Sequence, residues 1–179
     1  MEITPLFSPK VKYGVKTTQL SSAIINSDAS FTVVGMSGEQ LLKTKALSKL
    51  DAITMKVSSS GTLQIAGRAT LKSTTRNWSS ISTGLLQGGK VTYSNRTEAA
   101  ITKFSSINKP IWNVRYSAKS SALVASGKNS WASFISSGQI KSVSAWKPKI
   151  PTPVVLELGK KGEVLNSYKL SAPAVVIAV

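Results

Sequence analysis

Residues 52–72 read AITMKVSSSGTLQIAGRATLK, and this stretch sets the expectation for the whole chain. Apolar and polar side chains alternate on both sides of the SSSG segment, which is typical of a β-hairpin with one face against a core. The apolar set is Ile53, Met55, Val57, Leu63, Ile65, Ala69 and Leu71. The opposite set contains three cations, Lys56, Arg68 and Lys72, and no anion. The stretch therefore predicts an antiparallel sheet with one apolar and one basic face, and a polyanion as the ligand of the basic face.

The charge of the chain supports the same expectation. Among 179 residues there are 23 Lys and Arg but only 7 Asp and Glu, which gives a net charge of +16. The imbalance is strongest over residues 52–156, where fourteen cations accompany one acid, Glu98. Surfaces tuned for solubility mix both signs, whereas this excess repels itself unless a partner supplies counter-charge. Nucleic acid, an anionic membrane surface or an acidic protein would supply it.

Residue types that are missing exclude several classes of function. The chain has no Cys and no His, so it lacks disulfides, thiolate metal sites and the commonest general base. No apolar run reaches the roughly 20 residues of a membrane-spanning helix. GLLQGGKV at 84–91 approaches a phosphate-binding loop, but Val91 replaces the required Ser or Thr and a strand-like pattern follows. The sequence thus predicts a protein that is not an enzyme and has no cofactor and no metal site.

The remaining segments extend the β pattern along the chain. Residues 1–16 are expected to form a basic N-terminal arm, because two prolines oppose regular structure there. Residues 17–179 are expected to fold as a single, mainly all-β domain. Its predicted architecture is an antiparallel β-sandwich or jelly roll of about eight strands.

Two or three short helices are expected in the connections of this domain. Ser37 resembles a helix N-cap, and the apolar spacing that follows it predicts an amphipathic helix of about three turns. Residues 97–107 show a second helical spacing of apolar side chains, and residues 129–137 a possible helical turn.

The chain ends in the apolar run AVVIAV at 174–179. A strand without a polar side needs cover on both faces, from its own sandwich or from a neighbouring copy. Self-association is therefore expected, with an internal strand favoured for this run.

Six cations are the predicted nucleic-acid contacts: Lys56, Arg68, Lys72, Arg76, Arg115 and Lys119. Arg115 and Lys119 fall on one side of a strand predicted over 111–119. Arg76 lies beside Trp78, as in sites that stack bases, although such an indole equally packs at a sheet edge. Binding is expected to depend on phosphate contacts and to be largely indifferent to base sequence.

A small, basic, all-β chain without Cys, His or an enzyme motif resembles the structural proteins of small RNA viruses. The resemblance covers the overall pattern of the chain and no diagnostic residue set. It implies a jelly-roll coat protein that assembles as a homo-oligomer, packs single-stranded RNA on a basic face, and is found in the virion and the host cell cytoplasm. The arm over 1–16 departs from the pattern, since it has only three lysines where many coat proteins carry a dense basic tail.

Two related classes share this overall pattern. A viral movement protein coats single-stranded nucleic acid for transport, and a matrix protein binds both a nucleocapsid and an anionic membrane. RNA binding that weakens with salt separates a coat or movement protein from a lipid-binding matrix protein. Assembly into closed shells separates a coat protein from a movement protein.

Overall fold

The computed structural model describes residues 17–68, 80–83, 85–107, 109–140 and 148–171, with only the backbone for 80–83. The predictions for the arm over 1–16, for Lys72, Arg76 and Trp78, and for the run over 174–179 lie outside these ranges. Within them, every regular element is a β-strand. The strands are β1 (Thr18–Ile25), β2 (Phe31–Ser37), β3 (Asp51–Val57), β4 (Leu63–Arg68), β5 (Ser80–Thr83), β6 (Leu86–Thr92), β7 (Thr97–Ser106), β8 (Lys109–Ser117), β9 (Leu123–Ser126), β10 (Ser130–Ser136), β11 (Thr152–Leu158) and β12 (Val164–Lys169).

The strands form three antiparallel sheets of four strands each. The first sheet holds β1–β4, the middle sheet β5–β8 and the third sheet β9–β12, in each case with neighbours in chain order. The prediction of a mainly β, antiparallel protein is confirmed. The described strand order is a meander within each sheet, and it lacks the alternation between two sheets that defines a jelly roll.

One face of the middle sheet packs against the third sheet. Leu86 and Ile101 of the middle sheet join Phe134 and Leu156 of the third sheet in one cluster of buried apolar side chains. These residues fall on one face because side chains alternate along each strand. The cluster is the core between these two layers.

The opposite face of the middle sheet packs against the first sheet. Val91 and Ala100 pack with Ala52 of β3 in a second buried cluster. On the same face, the buried side-chain amide of Gln87 donates a hydrogen bond to the buried hydroxyl of Thr54. This bond matters because a buried polar group without a partner costs stability. The sheets therefore stack in the order first, middle, third.

The three-layer packing explains why two predicted helices are strands. Residues 97–107 lie mostly in β7, and residues 129–137 mostly in β10. In β7 the consecutive residues Ala99, Ala100 and Ile101 are all 0% exposed, since each face of the strand contacts a neighbouring sheet. A strand buried on both faces loses the alternation of a half-buried strand, and its apolar spacing also fits a helix.

The helix predicted after Ser37 is also wrong. Residues 38–50 form an irregular connection in which Leu41 is 2% exposed and the next residue, Leu42, is 44% exposed with φ +51°. Leu41 packs with Ile53 and Met55 on the outer face of the first sheet. The connection thus covers a sheet face, and the positive φ of Leu42 is incompatible with a regular α-helix at this point.

Close approach of the layers is visible at Gly88 in β6. A Cβ atom at this position would lie 2.6 Å from the carbonyl oxygen of Ala122 and 2.7 Å from Cγ1 of Val124. Backbone atoms cannot move away as easily as the end of a flexible side chain. Only glycine fits at this point between the middle and third sheets.

We expect Gly88→Ala to lower the free energy of unfolding by about 1–3 kcal/mol, because the added methyl group overpacks the contact between two sheets. Urea unfolding of the purified variant measures the change. Gly127→Ala is the matched control, since its Cβ would have a single contact within 4 Å, at 3.9 Å. Equal midpoints for both variants would contradict the close packing at Gly88.

Candidate nucleic-acid interface

The described members of the predicted cation set lie in two separate places. Lys56 and Arg68 belong to the β3–β4 hairpin of the first sheet. Arg115 lies near the end of β8 in the middle sheet, and Lys119 follows that strand. The predicted set is therefore not one continuous surface.

Lys56 and Arg68 lie on opposite faces of their hairpin. The register shifts at Gln64, which forms a β-bulge in β4. A bulge adds one residue and reverses the facing of those that follow it. As a result, Lys56 lies opposite Ile65, which is 40% exposed, whereas Arg68 lies opposite the fully buried Ile53. The prediction that the two cations share a solvent face is wrong.

Arg68 forms a buried ion pair with Asp51 instead. Its Nη1 lies 2.9 Å from Asp51 Oδ2, and the two side chains are 2% and 0% exposed. Nη1 also donates to the carbonyl of Ser37 at 3.0 Å, and Nη2 donates to the carbonyls of Glu39 and Thr44. Burial lowers the pKa of Arg68 and Asp51 raises it, and an arginine stays charged under such opposing effects. The guanidinium therefore anchors the 38–50 connection.

Lys56 remains near the surface but has a local partner. Its Nζ lies 2.7 Å from Asp28 Oδ2. The hydrogen bond from Lys56, followed by hydrogen bonds from Ser30, holds the pKa of Asp28 well below its usual range. The Lys56 charge is thus matched by a carboxylate at the surface.

We expect Arg68→Gln to reduce the free energy of unfolding by about 3–5 kcal/mol, because it leaves the buried Asp51 carboxylate without its cation. Lys56→Gln removes the same charge from an ion pair at the surface and should change stability far less. Urea unfolding followed by circular dichroism compares the two. Equal losses would contradict the buried, structural role of Arg68.

Arg115 helps to shape the end of the middle sheet. Its side chain is 11% exposed, so it is largely buried and not on an open solvent face as predicted. Its Nη1 donates to the Tyr93 hydroxyl at 2.9 Å, and its Nε donates to Asn113 Oδ1 at 3.1 Å. The Glu98 carboxylate lies 4.0 Å from Nη1. Arg115 therefore holds the Tyr93 side chain in position through its hydroxyl group.

Arg96 is the exposed cation of this region, and sequence reasoning missed it. Its guanidinium carbon lies 4.1 Å from the centre of the Tyr93 ring, in cation–π contact. Its Nε donates to Glu98 Oε1 at 3.0 Å, and this carboxylate raises the pKa of Arg96. The side chain is 57% exposed. The available signal was the segment YSNR at 93–96, whose Ser and Asn are typical turn residues and which forms the β6–β7 turn.

An open groove of about 670 Å³ runs beside this turn. The β6–β7 turn, the end of β8, Ser137 and Pro151 line this groove. Lys119 is exposed in the groove, while its backbone N–H donates to the Ile135 carbonyl at 2.8 Å. That backbone bond fixes the root of the lysine against β10.

The groove region combines three cations, Arg96, Arg115 and Lys119, with one carboxylate, Glu98. An arginine offers a planar set of donors to a phosphate, and a lysine offers a mobile point charge. The Tyr93 ring already carries Arg96 on one side. The arrangement suits phosphate groups better than a stack of bases.

Two comparisons of the sequence with known proteins gave no match. No protein-family model matches the sequence, and no curated protein shows significant similarity to it.

In the described ranges there is no helix that is long and apolar enough to cross a membrane. The same part of the chain contains no group of three or more His, Cys, Asp or Glu placed to hold a metal ion.

Proposed function

We propose that this protein is a structural protein that binds single-stranded RNA through basic surfaces and self-associates, in the manner of the coat proteins of small RNA viruses. The binding is largely independent of base sequence. The observation that carries the proposal is the way in which the fold uses its few acids. The choice of RNA and of a virion comes from the resemblance in overall sequence pattern.

Each of the six carboxylates in the described ranges is engaged within the fold. Asp28, Asp51 and Glu98 form ion pairs. The other three accept hydrogen bonds: Glu39 from Thr18, Glu157 from Asn129 and Asn166, and Glu163 from the backbone of Lys161. These carboxylates interact with groups of the fold itself, and most of the cations in the same ranges have no carboxylate partner in an ion pair.

The lysines of the described ranges show the resulting excess. There are thirteen, and the salt bridges there involve only Lys56 among them, which leaves twelve. Such a surface repels itself, and a polyanion relieves the repulsion. Binding to a nucleic acid also releases condensed counterions, which favours the complex at low salt.

The groove supplies a defined contact on this basic surface. Arg96 is held in place by Tyr93 and Glu98, so it loses less freedom when it binds a phosphate than a free side chain would. Lys119 adds a second charge in the same groove. The interactions are with phosphates, which every RNA sequence offers.

We expect the double variant Arg96→Gln, Lys119→Gln to bind single-stranded RNA about tenfold more weakly, since it loses two charged contacts to phosphate. The slope of log affinity against log salt, measured between about 50 and 200 mM by fluorescence anisotropy, should become shallower by about 1.4. Lys43→Gln, Lys45→Gln is the control with the same charge change, on the exposed 38–50 connection. Equal losses in both variants would overturn the groove as a specific contact. Absence of RNA binding by the native protein would overturn the proposed function.

Self-association is tested by sedimentation and negative-stain microscopy of the native protein with and without RNA. Closed shells support the coat protein, and extended nucleoprotein filaments point to the movement protein instead. Binding to anionic vesicles without RNA binding points to the matrix protein. A monomer under all conditions would contradict the structural role.

A further inference from the structure

A second basic pocket lies at the opposite end of the middle sheet, with a volume of about 250 Å³. Three lysines from three separate parts of the chain line it: Lys103 in β7, Lys128 in the β9–β10 turn and Lys160 in the β11–β12 turn. Lysines repel one another, so the fold brings them together against their own charge. None of the four predicted cations within the described ranges, Lys56, Arg68, Arg115 and Lys119, lines this pocket.

Part of the pocket lining is apolar. It includes Trp112 and Ile111 of β8, and Ile111 is 57% exposed. Gly162 packs on the Trp112 ring, because a Cβ at this glycine would lie 3.0 Å from Cδ2 of the indole. Gly162 has φ +81°, which favours glycine in this tight turn. The β11–β12 turn therefore packs on the indole and also carries Lys160.

The nearest carboxylates of the third sheet do not line the pocket. Glu157 accepts hydrogen bonds from the side-chain amides of Asn129 and Asn166, at 2.6 and 2.5 Å. Glu163 accepts a hydrogen bond from the backbone N–H of Lys161 at 2.8 Å and folds against Gly159. Among the described residues that line the pocket there are three cations and no anion, and Glu157, outside this lining, is close enough for the Lys128 charge to help lower its pKa.

We propose that this pocket binds the phosphate monoester of a nucleotide, either free or at the 5′ end of an RNA chain. A phosphate monoester carries nearly two negative charges at neutral pH, since its second pKa is about 6, whereas a phosphodiester inside a chain carries one. Three ammonium groups around one small volume therefore favour the monoester. The apolar wall formed by Ile111 and Trp112 then contacts the sugar or base.

The pocket is small enough to select for this group. Its volume of about 250 Å³ is below the range of about 300–1,000 Å³ that holds drug-sized ligands. It admits a phosphate with its adjoining sugar, and a continuous strand would have to pass outside it. The inference does not depend on the proposed function, because a free nucleotide satisfies the same chemistry.

Titration of the native protein with uridine 5′-monophosphate, followed by calorimetry and by the indole N–H signals in NMR spectra, tests the site. We expect saturable binding that shifts the Trp112 signal, which Trp112→Phe identifies, and weaker binding below pH 6, where the ligand takes up a proton. Lys128→Gln, Lys160→Gln should bind at least about tenfold more weakly, since two charged contacts are lost. Lys43→Gln, Lys45→Gln should bind within about twofold of the native protein, because these lysines lie outside the pocket.

A pair of short uridine oligonucleotides, with a 5′-phosphate or a 5′-hydroxyl, separates the two sources of the ligand. Tighter binding of the phosphorylated chain, lost in Lys128→Gln, Lys160→Gln, supports recognition of an RNA end. Equal binding of both chains, together with binding of the monophosphate, supports a free nucleotide. If neither chain binds while the monophosphate does, the proposed function is wrong and the pocket assignment holds. Failure of the monophosphate to bind, or equal binding of uridine without phosphate, overturns the pocket assignment.

Discussion

Burial of the middle sheet on both faces is the constraint on which the rest of the structure depends. Ala99 and Ala100 are neighbours in β7, point to opposite faces and are both 0% exposed. Small side chains at such positions let the two other sheets approach closely. At Gly88 the approach is so close that no side chain fits. The same burial forces the polar Gln87 to find its partner, Thr54, in another sheet. Packing against the middle sheet thus restricts which residues can occupy the inner faces of the first and third sheets.

The scarcity of acids is the second organising feature. Asp51 holds the 38–50 connection through Arg68 and through the backbone N–H of Leu47, at 2.7 Å. Glu98 holds Arg96 at the β6–β7 turn, and Glu157 links the turn before β10 to β12 through two asparagines. Each of these carboxylates supports a turn or connection. Because the chain has few acids and many cations, the acids take structural roles and most cations remain exposed.

The sequence allowed the hairpin and the β class to be predicted, because apolar and polar residues alternate along β3 from Ile53 and at the start of β4. It did not reveal the bulge at Gln64, since a single inserted residue leaves no mark on composition, and the facing of Arg68 was therefore predicted wrongly. The helical prediction over 97–107 failed for a different reason. Burial of both strand faces removes the alternation on which such a prediction depends.

Prediction of the candidate sites was limited by tertiary structure. Lys119 was included in the predicted set because it lies at the end of a recognisable strand pattern, whereas Arg96 lies in a turn that the strand pattern does not reach. Lys103, Lys128 and Lys160 are separated by more than twenty residues at each step, and no periodicity relates them. Only the register of the sheets brings their strand ends and turns together. Charge composition leads to a hypothesis about the class of ligand, but it gives no position for the binding site.

The layered fold also determines where ligands can reach the middle sheet. Because the neighbouring sheets cover its faces, the groove and the lysine pocket occupy the ends of its strands. The six residue steps along β7 from Thr97 to Lys103 separate the two sites by about 20 Å, at roughly 3.3 Å per step. This distance exceeds the screening length of about 8 Å at physiological salt, so two small anions would bind almost independently. An RNA chain with its 5′-phosphate in the pocket and an internal phosphate at the groove would make the second contact intramolecular, which would raise the overall affinity without any new interaction. Separate basic sites at opposite strand ends thus favour long polyanions over short ones, even when each site alone binds weakly.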